Sequence, residues 1–163
     1  VLPEVSVKGY AARSFPFDQV YGEGAEPSGK LFGECISPLV EGLFEGYNGT
    51  VLAYGQTGAG KTYTMGTHAV ADEGRSWEAV IPRATAMIFS KVAELTAEGR
   101  CSVAVRVSFF EVYQNSLRDL LATKGNKEQN IEIRERGGTD ISVEGHTETA
   151  VESAAELEAA LQM

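Results

Sequence analysis

Apolar residues recur every four positions through Leu31/Phe32, Cys35/Ile36, Leu39/Val40 and Leu43/Phe44. That spacing predicts a helix with one broad apolar stripe turned to a core. Ser28, at the end of the Gly/Pro-rich loop 22–29, is placed to cap it, and Pro38 should bend it by removing one backbone bond. A second stripe of Ile81, Ala84, Ile88, Val92 and Leu95 predicts a helix that Ile81-Pro82 opens and Gly99 closes. A third helix starts at the capping box Ser153-Ala154-Ala155-Glu156 and carries Leu157 and Leu161. Elsewhere the period drops to two. Val5/Val7 and Phe15/Phe17 read as short strands. Val103, Val105, Val107 and Phe109 alternate with Ala104, Arg106, Ser108 and Phe110 in the longest strand. Its apolar residues on both faces near the end predict a central place in a sheet. Lys124–Gln129 is a polar loop, and Ile131/Ile133 and Ile141/Val143 flank Gly137-Gly138 as a hairpin.

One further apolar run, Val51-Leu52-Ala53-Tyr54, leads directly into Gly55-Gln56-Thr57-Gly58-Ala59-Gly60-Lys61-Thr62. This segment fits G-x-x-x-x-G-K-[ST] in the order strand, glycine-rich turn, helix, which is the context a phosphate cradle needs. Glycines let successive backbone N–H groups converge on phosphate oxygens with no Cβ in the way. Lys61 supplies a point charge to the β- and γ-phosphates, and Thr62 a hydroxyl ligand for Mg²⁺. The helix opening at Thr62 adds its positive dipole end. The pattern therefore predicts a nucleotide site.

Composition narrows the partners. The chain has 163 residues, 43% of them apolar, one domain's worth and enough for a core. Its net charge of −9 argues against nucleic acid, whose phosphates reward basic faces. Cys35 and Cys101 fall at apolar positions of a predicted helix and strand and are expected as reduced core residues of a cytosolic protein. No stretch reaches the ~18 apolar residues of a membrane span, and no secretory signal opens the chain, so no membrane partner is expected. His68 and His146 lack a second ligand at metal spacing.

The flanks of the loop carry a resemblance. Tyr54 to Met65 closely resembles the P-loop of kinesin motor domains. Phe15-Pro16-Phe17-Asp18-Gln19-Val20-Tyr21, Pro38-Leu39-Val40, Gly46-Tyr47-Asn48-Gly49-Thr50, Gly74 and Ile81-Pro82-Arg83-Ala84 resemble further segments of that family. So do Ser108-Phe109-Phe110-Glu111-Val112-Tyr113 and Arg118-Asp119-Leu120-Leu121, all in the family's order. A fainter likeness is to the chromokinesin group.

The resemblance implies an α/β P-loop NTPase fold, with a kinesin-like mixed central sheet flanked by helices on both faces. It implies ATP and Mg²⁺ at Gly55 through Thr62, with the ring of Tyr63 against adenine. Ala59 stands where the family commonly has serine, so one hydroxyl contact to phosphate is missing while the backbone N–H remains. Gln114-Asn115 replaces the usual Asn-Glu. The hairpin from Ile131 to His146 matches one that touches tubulin, which makes Arg134 and Arg136 candidate contacts to an acidic microtubule surface. Neighbouring Glu132, Glu135 and Glu144 equally allow a merely solvated face. Trp77, in an insertion loop beside the nucleotide, is either a lid on local apolar surface, the preferred reading, or an exposed functional aromatic.

The family's N-x-x-S-S-R-S-H and D-x-x-G-x-E switches do not occur in these 163 residues. Residues 1–163 are accordingly expected to be a partial motor domain, without the first strand, switch I, switch II, main microtubule-binding helix and neck linker. The family is a microtubule-stimulated ATPase of the cytoplasmic cytoskeleton that oligomerises through segments absent here. Two other readings are a non-enzymatic nucleotide- or tubulin-binding module and a non-motor P-loop NTPase. An unfinished sheet would also expose strand edges and favour aggregation.

Overall fold

The computed structural model describes residues 4–6, 14–22, 27–66, 79–99, 101–122, 131–138 and 140–161. The chain divides into two compact units, Val1–Ala53 and Tyr54–Met163. Val7, His68, Gly74, Trp77 and the loop Lys124–Gln129 lie outside the described residues.

In the first unit, β1 (Glu4–Ser6) pairs antiparallel with β2 (Ser14–Pro16), Val5 opposite Phe15. The expected single helix is two windings in succession. Pro27–Ile36 is wound as a π-helix, and α1 (Ser37–Phe44) continues it as an α-helix. The change falls immediately before Pro38, which sits in the first turn of α1. Proline lacks an N–H and clashes with the carbonyl four residues back, and the wider winding upstream moves that carbonyl away. Because the helix already begins at Pro27, Ser28 lies inside the first turn instead of capping it.

The four-residue period survives the change of winding. Phe32, Ile36 and Val40 are buried, each at most 6% exposed, and they form the core of this unit. The stripe is narrower than its sequence suggests: Leu39 and Leu43 are exposed. Cys35 is exposed as well, contrary to its expected core position. Its Sγ lies 3.4 Å from Tyr21 Oη, whose hydroxyl donates to Glu34 Oε2 at 2.9 Å. The contact with Cys35, then burial and Glu34, pushes the Tyr21 hydroxyl well above its ordinary range.

In the second unit, α2 (Lys61–Met65) follows the glycine loop, and α3 (Val80–Ala97) carries the predicted stripe, with Pro82 tolerated in its first turn. Glu98 caps α3, and Gly99 leaves it in a left-handed conformation at φ +65°. Among the described residues the strands form separate antiparallel pairs, β1 with β2 and three more in this unit.

The expected long strand is broken. β3 (Val105–Val107) pairs with β8 (Thr149–Val151), whereas β4 (Phe110–Tyr113) pairs with β5 (Ser116–Asp119). The apolar residues on both faces thus mark a change of partner, not a central strand with two neighbours. Cys101 precedes β3 in irregular backbone and is exposed, again not a core residue. Gln114 and Asn115 take φ of +48° and +64°, which makes the β4–β5 connection a two-residue turn of the left-handed kind hairpins favour.

β6 (Glu132–Arg136) and β7 (Asp140–Glu144) form the predicted hairpin around Gly137-Gly138. Ser153 caps α4 (Ala154–Leu161), accepting from Glu156 N–H at 3.2 Å. The returning Glu156 carboxylate takes the N–H of Glu152, one residue earlier than the usual box, at 2.8 Å.

Asp119 is the polar keystone of this unit. At 7% exposure it accepts the N–H groups of Leu121 at 2.8 Å, Ala122 at 3.2 Å and Thr147 at 2.7 Å. The last of these ties the segment after β7 to the end of β5. Burial alone would raise its pKa, but the hydrogen bonds from Thr147, Leu121 and Ala122 prevail and lower it. The folded state therefore holds the acid proton more weakly than the unfolded chain. Asp119 adds stability above about pH 4, and that contribution fades as pH falls through its lowered value. Asp119→Asn places an amide N–H against one of three donors and should destabilise by about 1–3 kcal/mol in urea unfolding. The gap between variant and parent should shrink as the buffer is acidified.

Candidate functional site

The glycine-rich loop is closed across its own mouth by three bonds. Lys61 Nζ donates to Gly55 O and to Gln56 O, each at 2.7 Å. Ala59 N–H donates to Gln56 O at 3.1 Å. Of the three N–H donors of an ammonium, two hold the loop, so at most one remains for an anion. The backbone N–H of Ala59 is thus engaged within the loop. Thr64 N–H returns to Gly60 O at 2.9 Å as α2 begins.

The loop needs its glycines for two reasons. Gly58 and Gly60 have φ of +81° and +86°, a left-handed backbone that a Cβ disfavours. At Gly55 the constraint is space, since a Cβ there would lie 3.1 Å from Ala59 Cβ. Gly60 also serves as N-cap of α2 without a capping side chain, so the first-turn N–H groups of Lys61, Thr62 and Tyr63 have no partner within the helix.

The expected strand Val51–Tyr54 has no ladder partner among the described residues. Leu52 and Tyr54 are 85% and 95% exposed. Extended pairing requires a neighbouring strand to take its N–H and C=O groups, and none of the described strands does so. The turn and the helix of the motif are thus formed on their own. Thr62 is exposed at the start of α2, and Tyr63 is 52% exposed beside it.

Gly66 interrupts the helix after Met65, as its place in the sequence predicts, but the packing that requires a glycine there was not foreseen. It closes α2 at φ +78°, its N–H donating to Thr62 O at 2.8 Å. A Cβ here would lie 2.5 Å from Ala79 Cβ and 3.2 Å from Pro82 Cδ, so only glycine lets the end of α2 meet the start of α3.

These residues fit a nucleotide and Mg²⁺. The loop offers unpartnered helix-end N–H groups, an ammonium and the Thr62 hydroxyl, a hard oxygen donor suited to a cation that keeps most of its ligands as water and phosphate oxygen. Among the described residues no group of three or more His, Cys, Asp or Glu is placed to hold a metal. His146 has its ring edge on Phe110, centroids 6.1 Å apart, and its Nε2 3.5 Å from Glu148 Oε1.

The flanking segments decide the family. The model of the kinesin motor domain matches residues 4–163. This chain belongs to the kinesin motor domain family. It is 42% identical to a kinesin-like protein KIN-4A of Oryza sativa subsp. japonica, an alignment covering 98% of this chain and 16% of the relative. Identity is also 42% to the human kinesin-like protein KIF27, over 93% of this chain and 10% of that protein. A solved structure described as that of a fast kinesin superposes with a TM-score of 0.74 at 36% identity, covering 95% of this chain and 41% of the other. The chain therefore has the P-loop NTPase fold of kinesin motors, and it spans about a sixth of the length of the KIN-4A relative.

The kinesin hairpin β6–β7 places Arg134 against its own carboxylates. The guanidinium lies 2.9 Å from Glu132 Oε2 and 3.1 Å from Glu144 Oε2. The hydrogen bond from Glu132, then the charges of Glu144 and Glu132, raises its pKa further. The side chain of Arg136 lies outside the described residues.

Gly58→Ala meets nothing within 4 Å and should lose only about 1–2 kcal/mol for its left-handed backbone. Gly66→Ala adds overpacking of about 1–3 kcal/mol to the same backbone term. Thermal unfolding of the two variants should rank Gly66→Ala clearly lower.

Proposed function

We propose that this chain is the ATP-binding part of a motor that couples ATP hydrolysis to movement along microtubules. The observation that carries the reading is the closed loop Gly55–Thr62 with Lys61 locked across it, set among segments of a kinesin motor domain. Gly55, Gln56, Thr57, Gly58, Ala59 and Gly60 form the cradle, Lys61 neutralises phosphate charge and Thr62 faces Mg²⁺. Mg²⁺ held at Thr62 would offset the negative charge that develops in phosphoryl transfer. Tyr63, half-exposed next to the loop, stacks on the base. The chain's own contribution is positioning: the loop fixes where the phosphates lie before any water attacks.

The whole protein works at the cytoskeleton, with microtubules as its track. Arg134 is a candidate contact, but it must leave Glu132 and Glu144 to reach an acidic partner. An exposed pair contributes at most ~1 kcal/mol, so Arg134→Ala should weaken microtubule co-sedimentation only a few-fold.

Lys61→Ala removes both the brace and a charged donor. Its ATP affinity, measured by fluorescent-nucleotide titration, should fall by about 1.5–3 kcal/mol, roughly ten- to a hundred-fold. An unchanged affinity would refute the assignment. Ala59→Ser restores a hydroxyl and should tighten binding in the same assay.

A further inference from the structure

We infer that Asn48-Gly49 is a site of spontaneous covalent modification, at which the asparagine converts to aspartate and isoaspartate. Three observations combine. Both residues are exposed and in irregular backbone between α1 and the glycine-rich loop. Among the described residues no acceptor takes the Gly49 N–H, so its nitrogen is available as a nucleophile. Gly49 has no side chain to hinder the approach of that nitrogen to the neighbouring amide carbon.

The chemistry needs only water. The Gly49 nitrogen loses its proton and attacks Asn48 Cγ, the bond from Cγ to the side-chain amide nitrogen breaks, and ammonia departs with that proton. The resulting five-membered imide is opened by one water molecule. Attack at Cγ gives aspartate with the original main chain. Attack at the backbone carbonyl gives isoaspartate, in which the chain runs through the side chain and is one methylene longer. Either product adds a negative charge to a chain that already carries −9. The longer form falls where the Gly49 backbone packs on Leu39, since a Cβ at Gly49 would lie 3.5 Å from Leu39 Cβ.

The same chain provides an internal control. Asn115 precedes Ser116, a small residue, but it is locked in the β4–β5 turn, with Ser116 closing the ladder opposite Tyr113. In such a turn the Ser116 N–H is held by the Tyr113 carbonyl and is not free to attack. Asn126 and Asn130 are followed by the bulkier Lys127 and Ile131.

The full chain, incubated in mildly alkaline buffer without nucleotide and mapped by peptide mass spectrometry, tests this. The Asn48 peptide should gain the mass of an amide-to-acid change as two separable products, one of them a methyl acceptor for an isoaspartyl methyltransferase. Its rate should exceed that of Asn115 by an order of magnitude or more. Gly49→Ala should slow the reaction at least as strongly while leaving thermal unfolding near that of the parent. Gly49 is not among the left-handed glycines, and the added Cβ makes only ordinary contact. Reaction of Asn48 in urea but not in the folded chain would overturn the proposal, as would equal rates at Asn48 and Asn115.

Discussion

The contact on which the candidate site depends is the return of Lys61 to the carbonyls of Gly55 and Gln56, both at 2.7 Å. A loop with left-handed glycines at Gly58 and Gly60 has many conformations open to it, and fixing one is entropically costly. The ammonium bridges the first two residues of the loop and the first residue of α2, and the Ala59 N–H adds a bond to the same Gln56 carbonyl. Each bond is charge-assisted or short-range, so the turn keeps its shape without help from a paired strand before it. That independence matters here, because Val51–Tyr54 has no ladder partner among the described residues.

The rest of the second unit uses a similar device on a larger scale. Asp119 gathers three N–H groups, one of them from Thr147, twenty-eight residues further along the chain. A buried carboxylate with three donors is stable only while every donor stays in place. It therefore fixes the end of β5 and the segment after β7 to one another. Hydrophobic burial in this unit is thin: Ala79, Val80, Leu121, Ala122 and Val151 are its buried apolar residues among those described. Polar ties of this kind thus carry more of the specificity than the core does.

Much of this was legible in the sequence. Glycine-lysine-threonine spacing identified the loop because the chemistry of a phosphate cradle dictates residue types at fixed intervals. The Gly137-Gly138 hairpin and the Ser153 cap were legible for the same reason, since each depends on a local backbone need. Periodicity located α3 and the burial of Phe32, Ile36 and Val40, but it could not reveal the π-winding before Pro38. What failed was information held by partners distant in sequence. The alternation from Val103 to Phe110 could not show that the chain changes from β8 to β5 midway. Apolar neighbours could not show that Cys35 and Cys101 end exposed. Asp119 looked like part of a family segment, and only Thr147 shows what it holds. Gly66 was legible as the break after Met65, but not the approach of Ala79 and Pro82 that leaves no room for a Cβ there.

An NMR titration of the isotope-labelled chain with Mg²⁺ and ATP, following backbone amides, shows directly whether the braced loop takes phosphate. Gly58, Gly60, Lys61 and Thr62 should shift together and saturably as phosphates engage the loop, while Leu121, Ala122 and Thr147 at the Asp119 junction stay in place. An unmoved loop, or shifts confined to residues away from Gly55–Tyr63, would contradict phosphate binding there.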